Sequence, residues 1–131
     1  MTTVVDIARA EVGYQEGPNN DSKYGQWYGL NNQSWCAMFV SWCFNEVGLL
    51  SKVLAQGKKG FASCDVGLKW FARNNKLVPV GKAEAGDIVF FQFDADAQPD
   101  HVGIVASNDG KNLFCYRSEE HTSELQSRQY L

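Results

Sequence analysis

Ser34-Trp35-Cys36-Ala37-Met38-Phe39-Val40-Ser41-Trp42-Cys43-Phe44-Asn45-Glu46-Val47-Gly48 is the stretch on which the fold turns. It reads as one helix. Ser34 is placed to cap the start, because a side-chain oxygen there accepts a backbone N–H that has no helical partner. Gly48 is placed to end it, because glycine enters the left-handed conformation without penalty. Only Ser41, Asn45 and Glu46 interrupt an apolar circumference, so the helix is expected inside the domain. Cys36 falls in the first turn. A thiolate there meets unpaired N–H groups and the positive end of the helix dipole, which suits a nucleophile. A small buried hydrophobe is the alternative role for such a cysteine, and the helix alone does not choose between them.

The 131 residues make one domain, long enough to bury about two-thirds of the unfolded surface. Apolar residues reach 44% and aromatic ones 13%, enough for a packed core. The net charge of −3, without a long basic run, argues against nucleic acid as a partner. No apolar run has the length of a transmembrane helix. Met1 to Ala10 lacks the basic start and apolar core of a signal peptide. The expectation is synthesis in the cytoplasm, with another agent delivering the protein to any target outside. The cysteines are Cys36, Cys43, Cys64 and Cys115, and none forms a C-x-x-C pair. Cys36 and Cys43 stand about two helical turns apart, too far to bond. A Cys64–Cys115 bridge stays open.

Thr3 to Val12 has the cap and apolar stripe of a short helix, closed by Gly13. Glu16 to Ser22 is rich in turn formers. Lys23 to Leu30 is aromatic, and either lines a groove or covers the core. Leu49 to Gly60 is a poorly patterned connection. Phe61 to Asn74 places Phe61, Cys64, Leu68 and Phe71 on one helical face, with Trp70 at its flank. The period then changes. Asp87 to Phe93, His101 to Ser107 and Asn112 to Tyr116 read as strands, with Asn108-Asp109-Gly110 as a hairpin turn. Helices first and strands later give an α+β domain, an antiparallel meander packed against helices.

From Arg117 to Leu131 the chain is polar and lacks a period. The run RSEEHTSELQS within it is similar to the translation of a common sequencing adaptor. Residues 1–116 are therefore expected to form the domain, C-terminally incomplete. Residues 117–131 are expected to form an artefactual tail, which leaves His121 without a function. His101 is then the histidine available to Cys36. It opens a strand where a loop ends, so it is held by a sheet yet close to solvent. A thiol nucleophile needs such a base.

These residues together resemble the CHAP family of cysteine- and histidine-dependent amidohydrolases and peptidases. The matching blocks are Glu16-Gly17-Pro18-Asn19-Asn20, Lys23-Tyr24-Gly25, Trp27-Tyr28-Gly29, Trp35-Cys36-Ala37 and Phe39-Val40-Ser41-Trp42-Cys43. They continue in Gly86-Asp87-Ile88-Val89-Phe90-Phe91 and Asp100-His101-Val102-Gly103-Ile104-Val105. They run in order from about Ala8 to Tyr116, and within the family the catalytic domains of phage endolysins look most similar. The resemblance implies a papain-like α+β fold and a monomer acting on bacterial peptidoglycan. Some members of the family bind calcium near the active site, but of Asn19, Asn20 and Asp21, which offer oxygen ligands here, only one is a carboxylate, which is thin for calcium; a solvated turn is expected there, and no cofactor or metal. The resemblance makes Cys36 the nucleophile and His101 the general base and then acid. The cleaved bond is that of an N-acetylmuramoyl-L-alanine amidase or of an endopeptidase. Trp35, Trp27 and Tyr28 either line the substrate groove or pack in the core. The family places an acid or amide on the strand after the histidine strand, to orient the imidazole. Here that position falls at or beyond Tyr116, where Glu119 or Glu120 would have to substitute. A poorly active, aggregation-prone chain with an open sheet edge is expected. The nearest rival is an NlpC/P60-type peptidase, which typically has Asp before the cysteine and Ser after it, where this chain has Trp35 and Ala37. A wall-binding module without catalysis is the rival from another class.

Overall fold

The structure, a computed structural model, describes residues 2–91, 101–118 and 125–130. Four helices come first: α1 (Val4–Ala10), α2 (Lys23–Tyr28), α3 (Cys36–Glu46) and α4 (Cys64–Arg73). Four strands follow: β1 (Ile88–Phe91), β2 (His101–Asn108), β3 (Leu113–Ser118) and β4 (Leu125–Tyr130). The strands form one antiparallel sheet in the order β1-β2-β3-β4, and the domain is α+β. The expected strands are found, with β1 shorter at its start. The rest of the run to Phe93 lies outside the described residues. Strand structure also runs beyond Tyr116: β3 includes Arg117 and Ser118, and β4 pairs along it from Leu113↔Tyr130 to Ser118↔Leu125.

The helix ends follow local chemistry. Thr3 and Asp6 form a reciprocal capping box at the start of α1. Ser22 caps α2, and Gly29 ends it at a φ of 99°. Ser63 caps α4 by accepting the Val66 N–H. At α3 the expected cap is displaced. Ser34 is exposed, and Trp35 is the capping residue, without a side-chain cap bond. The reason is packing. Trp35 is 3% exposed and stacks on Tyr24 at 5.1 Å, which fixes the chain's entry one residue later. The other end is as expected. Gly48, at a φ of 75°, lets the Leu49 N–H reach the Phe44 carbonyl at 2.8 Å and the Gly48 N–H reach Asn45.

The core is built on α3, which packs against α1, α2 and β2. Its residues from Cys36 to Ser41, with Cys43 and Phe44, are buried. Ser41 is not a solvent-facing relief in this apolar surface. It is fully buried and bonded to the backbone of Phe61 and Ala37. The aromatic segment is a helix whose Tyr24 is central to the core, meeting Tyr14, Trp35, Phe39 and Trp42. The Tyr24 hydroxyl donates to Glu11 at 2.7 Å, so its buried oxygen is satisfied. Lys23 pairs with Glu11 and lies 4.9 Å from the centre of the Trp42 ring.

In the sheet, residues His101 to Val105 of β2 are all buried. Gly103 is the point of closest approach to β3. A Cβ there would stand 2.6 Å from the Tyr116 carbonyl oxygen. Between Val105 and Ser107 the pairing shifts by one residue, leaving Ala106 as a bulge. At the hairpin, Asp109 Oδ1 accepts the N–H groups of Lys111 and Asn112.

Candidate active site

Cys36 is the first residue of α3, and His101 is the first residue of β2. Because α3 packs on β2, the two meet although they come from opposite halves of the chain. Cys36 is 5% exposed and His101 4%. His101 pairs in register with Phe91 at the end of β1, so backbone pairing holds the imidazole-bearing residue at the sheet's rim. At the first position of a helix, the Cys36 N–H has no acceptor within the helix and points out of its end.

The thiol is held well below its ordinary pKa. The Cys64 thiol does most, by hydrogen bonding to it. The imidazole of His101 adds a hydrogen bond and a favourable charge, and the Val102 N–H adds another donor. These outweigh burial, which pulls the other way. The contrast with the other buried cysteines is direct. Burial raises Cys43 strongly and pushes Cys115 up to about 12. Of the three buried thiols, only Cys36 is shifted toward its thiolate, and it is the one at a helix start beside a histidine.

Cys64, which the sequence placed on a core face with a bridge to Cys115 left open, was not expected at this site. It is half-buried, opens α4, and has its sulfur 3.6 Å from that of Cys36. None of the four cysteines is in a disulfide, and Cys64 faces Cys36, not Cys115. The signal available was Ser63, whose cap makes Cys64 the first helical residue, as Cys36 is in α3.

The three aromatic residues considered for substrate separate. Trp35 sits in the core, against Tyr24 and edge-on to Tyr14 at 5.8 Å. Its indole N–H bonds Glu16, whose carboxyl is raised by burial, with the Trp35 bond opposing the shift. Trp27 and Tyr28 are half-buried and meet at 6.2 Å, with Lys59 over the Trp27 ring. Asn19 and Asn20 are exposed and take left-handed backbone angles. Asp21 accepts amide N–H groups from Asn31 at 2.7 Å and Gln26 at 2.9 Å, and these hold its carboxyl below the usual range. Among the described residues, no three His, Cys, Asp or Glu side chains gather as a metal site. Glu119, Glu120 and His121 lie outside the described residues, as does Asp100. An apolar cleft of about 620 Å³ is lined by Phe44, Leu68, Phe71, Val78 and Phe90, among others. Phe44 belongs to the far end of α3, and neither Cys36 nor His101 lines the cleft.

A paired thiol and imidazole of this kind can perform acyl transfer. Residues 27–118 of the chain match the family described as CHAP domain. The chain belongs to the CHAP family. No curated protein and no solved structure matches it. CHAP domains are in general cysteine- and histidine-dependent amidohydrolases or peptidases, with peptidoglycan as substrate. The CHAP match spans α3, α4 and β1 to β3, and so includes both Cys36 and His101. No helix among the described residues is long and apolar enough to cross a membrane.

Proposed function

We propose that this CHAP domain cleaves an amide bond of bacterial peptidoglycan, with Cys36 as nucleophile and His101 as general base and then acid. The observation that carries the reading is the placement of Cys36 at the start of α3 and of His101 at the start of β2, brought together by the packing of α3 on β2, and the lowered pKa of Cys36 supports it. The Cys36 thiolate attacks the carbonyl carbon, and the carbonyl π electrons move to oxygen. The outward-pointing N–H of Cys36 is available to that oxyanion. On collapse, the C–N bond breaks and His101 gives its proton to the leaving amine. Water, deprotonated by His101, then attacks the thioester, and the Cys36 thiolate departs. The bond is that of an N-acetylmuramoyl-L-alanine amidase or of a stem- or bridge-peptide endopeptidase. We further propose that the domain serves as the catalytic part of a phage endolysin, acting as a monomer on the wall from the cytoplasmic side once released.

Purified peptidoglycan digested with the chain, and analysed by mass spectrometry, tests this reading. Expected are new amine and carboxyl ends at one bond type, absent with Cys36→Ala. Wall binding that persists in Cys36→Ala, with no cleavage by the parent chain, would instead favour a non-catalytic wall-binding module.

A further inference from the structure

The nucleophile candidate has a second thiol at its side, which forms and breaks no bond to carbon in acyl transfer. The Cys36 and Cys64 sulfurs are 3.6 Å apart, and the two residues are separated by 28 positions in sequence. Each is the first residue of its helix. The sulfurs therefore sit where two helix starts converge, 3.6 Å apart against a disulfide bond length of about 2.0 Å. Cys64 is half-buried, so the pair borders the surface. Cys43 and Cys115 are fully buried.

We infer that Cys36 and Cys64 form a reversible disulfide modification site, closed by hydrogen peroxide and opened by dithiols. The Cys36 thiolate attacks one peroxide oxygen. The O–O bond breaks, Cys36 becomes a sulfenic acid, and the other oxygen leaves as water after taking a proton. The Cys64 sulfur then attacks the sulfenic sulfur. The S–O bond breaks, the S–S bond forms, and a second water leaves. Two thiols and one peroxide thus give one disulfide and two waters. A dithiol reverses this by thiol exchange, and is itself oxidised to its cyclic disulfide. Without Cys64, the sulfenic acid stays open to further peroxide and proceeds to the sulfinic acid, which dithiols do not reduce. The lowered pKa of Cys36 supports its role as the attacking thiol. That the bond silences hydrolysis rests on the function proposed above, whereas its formation does not.

The test is a thiol count and a peptide map of the whole chain after treatment with hydrogen peroxide. The expected count of free thiols falls from four to two. Non-reducing digestion should yield one cross-linked pair containing Cys36 and Cys64, two hydrogens lighter than the separate peptides. Dithiothreitol should restore all four thiols. In Cys64→Ser, whose hydroxyl keeps a hydrogen-bond donor beside Cys36, the same treatment should leave Cys36 as a sulfinic acid that dithiothreitol does not return to alkylation, and Cys64→Ala, which lacks that donor, should reach the same product more slowly. Sulfinic Cys36 without a cross-link in the parent chain overturns the proposal. So does full recovery of Cys36 in both variants. A cross-link in a chain that, fully reduced, cleaves no peptidoglycan would sink the proposed hydrolase and leave the disulfide standing.

Discussion

Ser41 Oγ accepts the Phe61 N–H at 3.0 Å, tying the middle of α3 to the segment that leads into α4. Its hydroxyl also stands 3.0 Å from the carbonyl oxygens of Ala37 and Phe61. The site is fully buried, and Gly60 beside it leaves no room for a side chain. Ser41→Ala would strand the Phe61 N–H. The expected loss of stability is about 1–3 kcal/mol, read as a lower urea midpoint at unchanged slope. A midpoint equal to the parent's would show that the bond contributes nothing.

Gly103 gives a second stability prediction. Its missing Cβ is what lets β2 approach the Tyr116 carbonyl. Gly103→Ala forces backbone against backbone, where no rotamer change relieves the contact. Overpacking of this sort costs about 1–3 kcal/mol. Because His101 lies two residues upstream on the same strand, the variant should also slow alkylation of Cys36. Thermal melting and the alkylation rate check the two effects separately.

The reactivity of Cys36 should depend on pH in a defined direction. Its thiolate forms at lower pH in the folded chain than an ordinary cysteine's, whose pKa is about 8.5. Its rate of reaction with iodoacetamide should therefore rise and level off below that pH. His101→Ala removes a hydrogen bond and a charge that favour the thiolate, so the midpoint should move up. The same variant should lose about 10²–10⁴-fold in cleavage of peptidoglycan. An unmoved midpoint in the variant would show that His101 does not act on the thiol.

Glu16 predicts the pH dependence of stability. Burial raises its folded pKa above the unfolded value. Within that window the native chain binds more protons than the unfolded chain, so stability falls as pH rises through it. Glu16→Gln keeps an acceptor for the Trp35 N–H and carries no charge. The variant should gain stability relative to the parent above the window and show a smaller difference below it, as measured by urea midpoints across pH.

The strands and α3 were legible because their signals are local. β-branched and aromatic runs such as Ile88-Val89-Phe90-Phe91, bounded by turn residues, specify strands without reference to partners. The pairing of Cys36 with His101 was legible as chemistry before it was geometry. Helix α2 was not, since Tyr24, Gly25, Trp27 and Tyr28 break any simple period. Its signals were the Ser22 cap and the left-handed Gly29. The start of α3 was misplaced because a core contact of Trp35 overrode a local cap. The closeness of Cys36 and Cys64 had no local trace. It depends on where α4 docks, and nothing in the spacing of the two cysteines encodes that.

The origin of Cys36 and His101 in opposite halves of the chain has a consequence for biosynthesis. During translation, Cys36 emerges well before His101 and Val102 exist, and its thiol then has the acidity of any cysteine. The long loop between them must close before His101 and Val102 add their share to favouring the thiolate, and such non-local closure comes late in folding. In a nascent or half-folded chain Cys36 is consequently less acidic than in the finished domain, where all of its partners are in place.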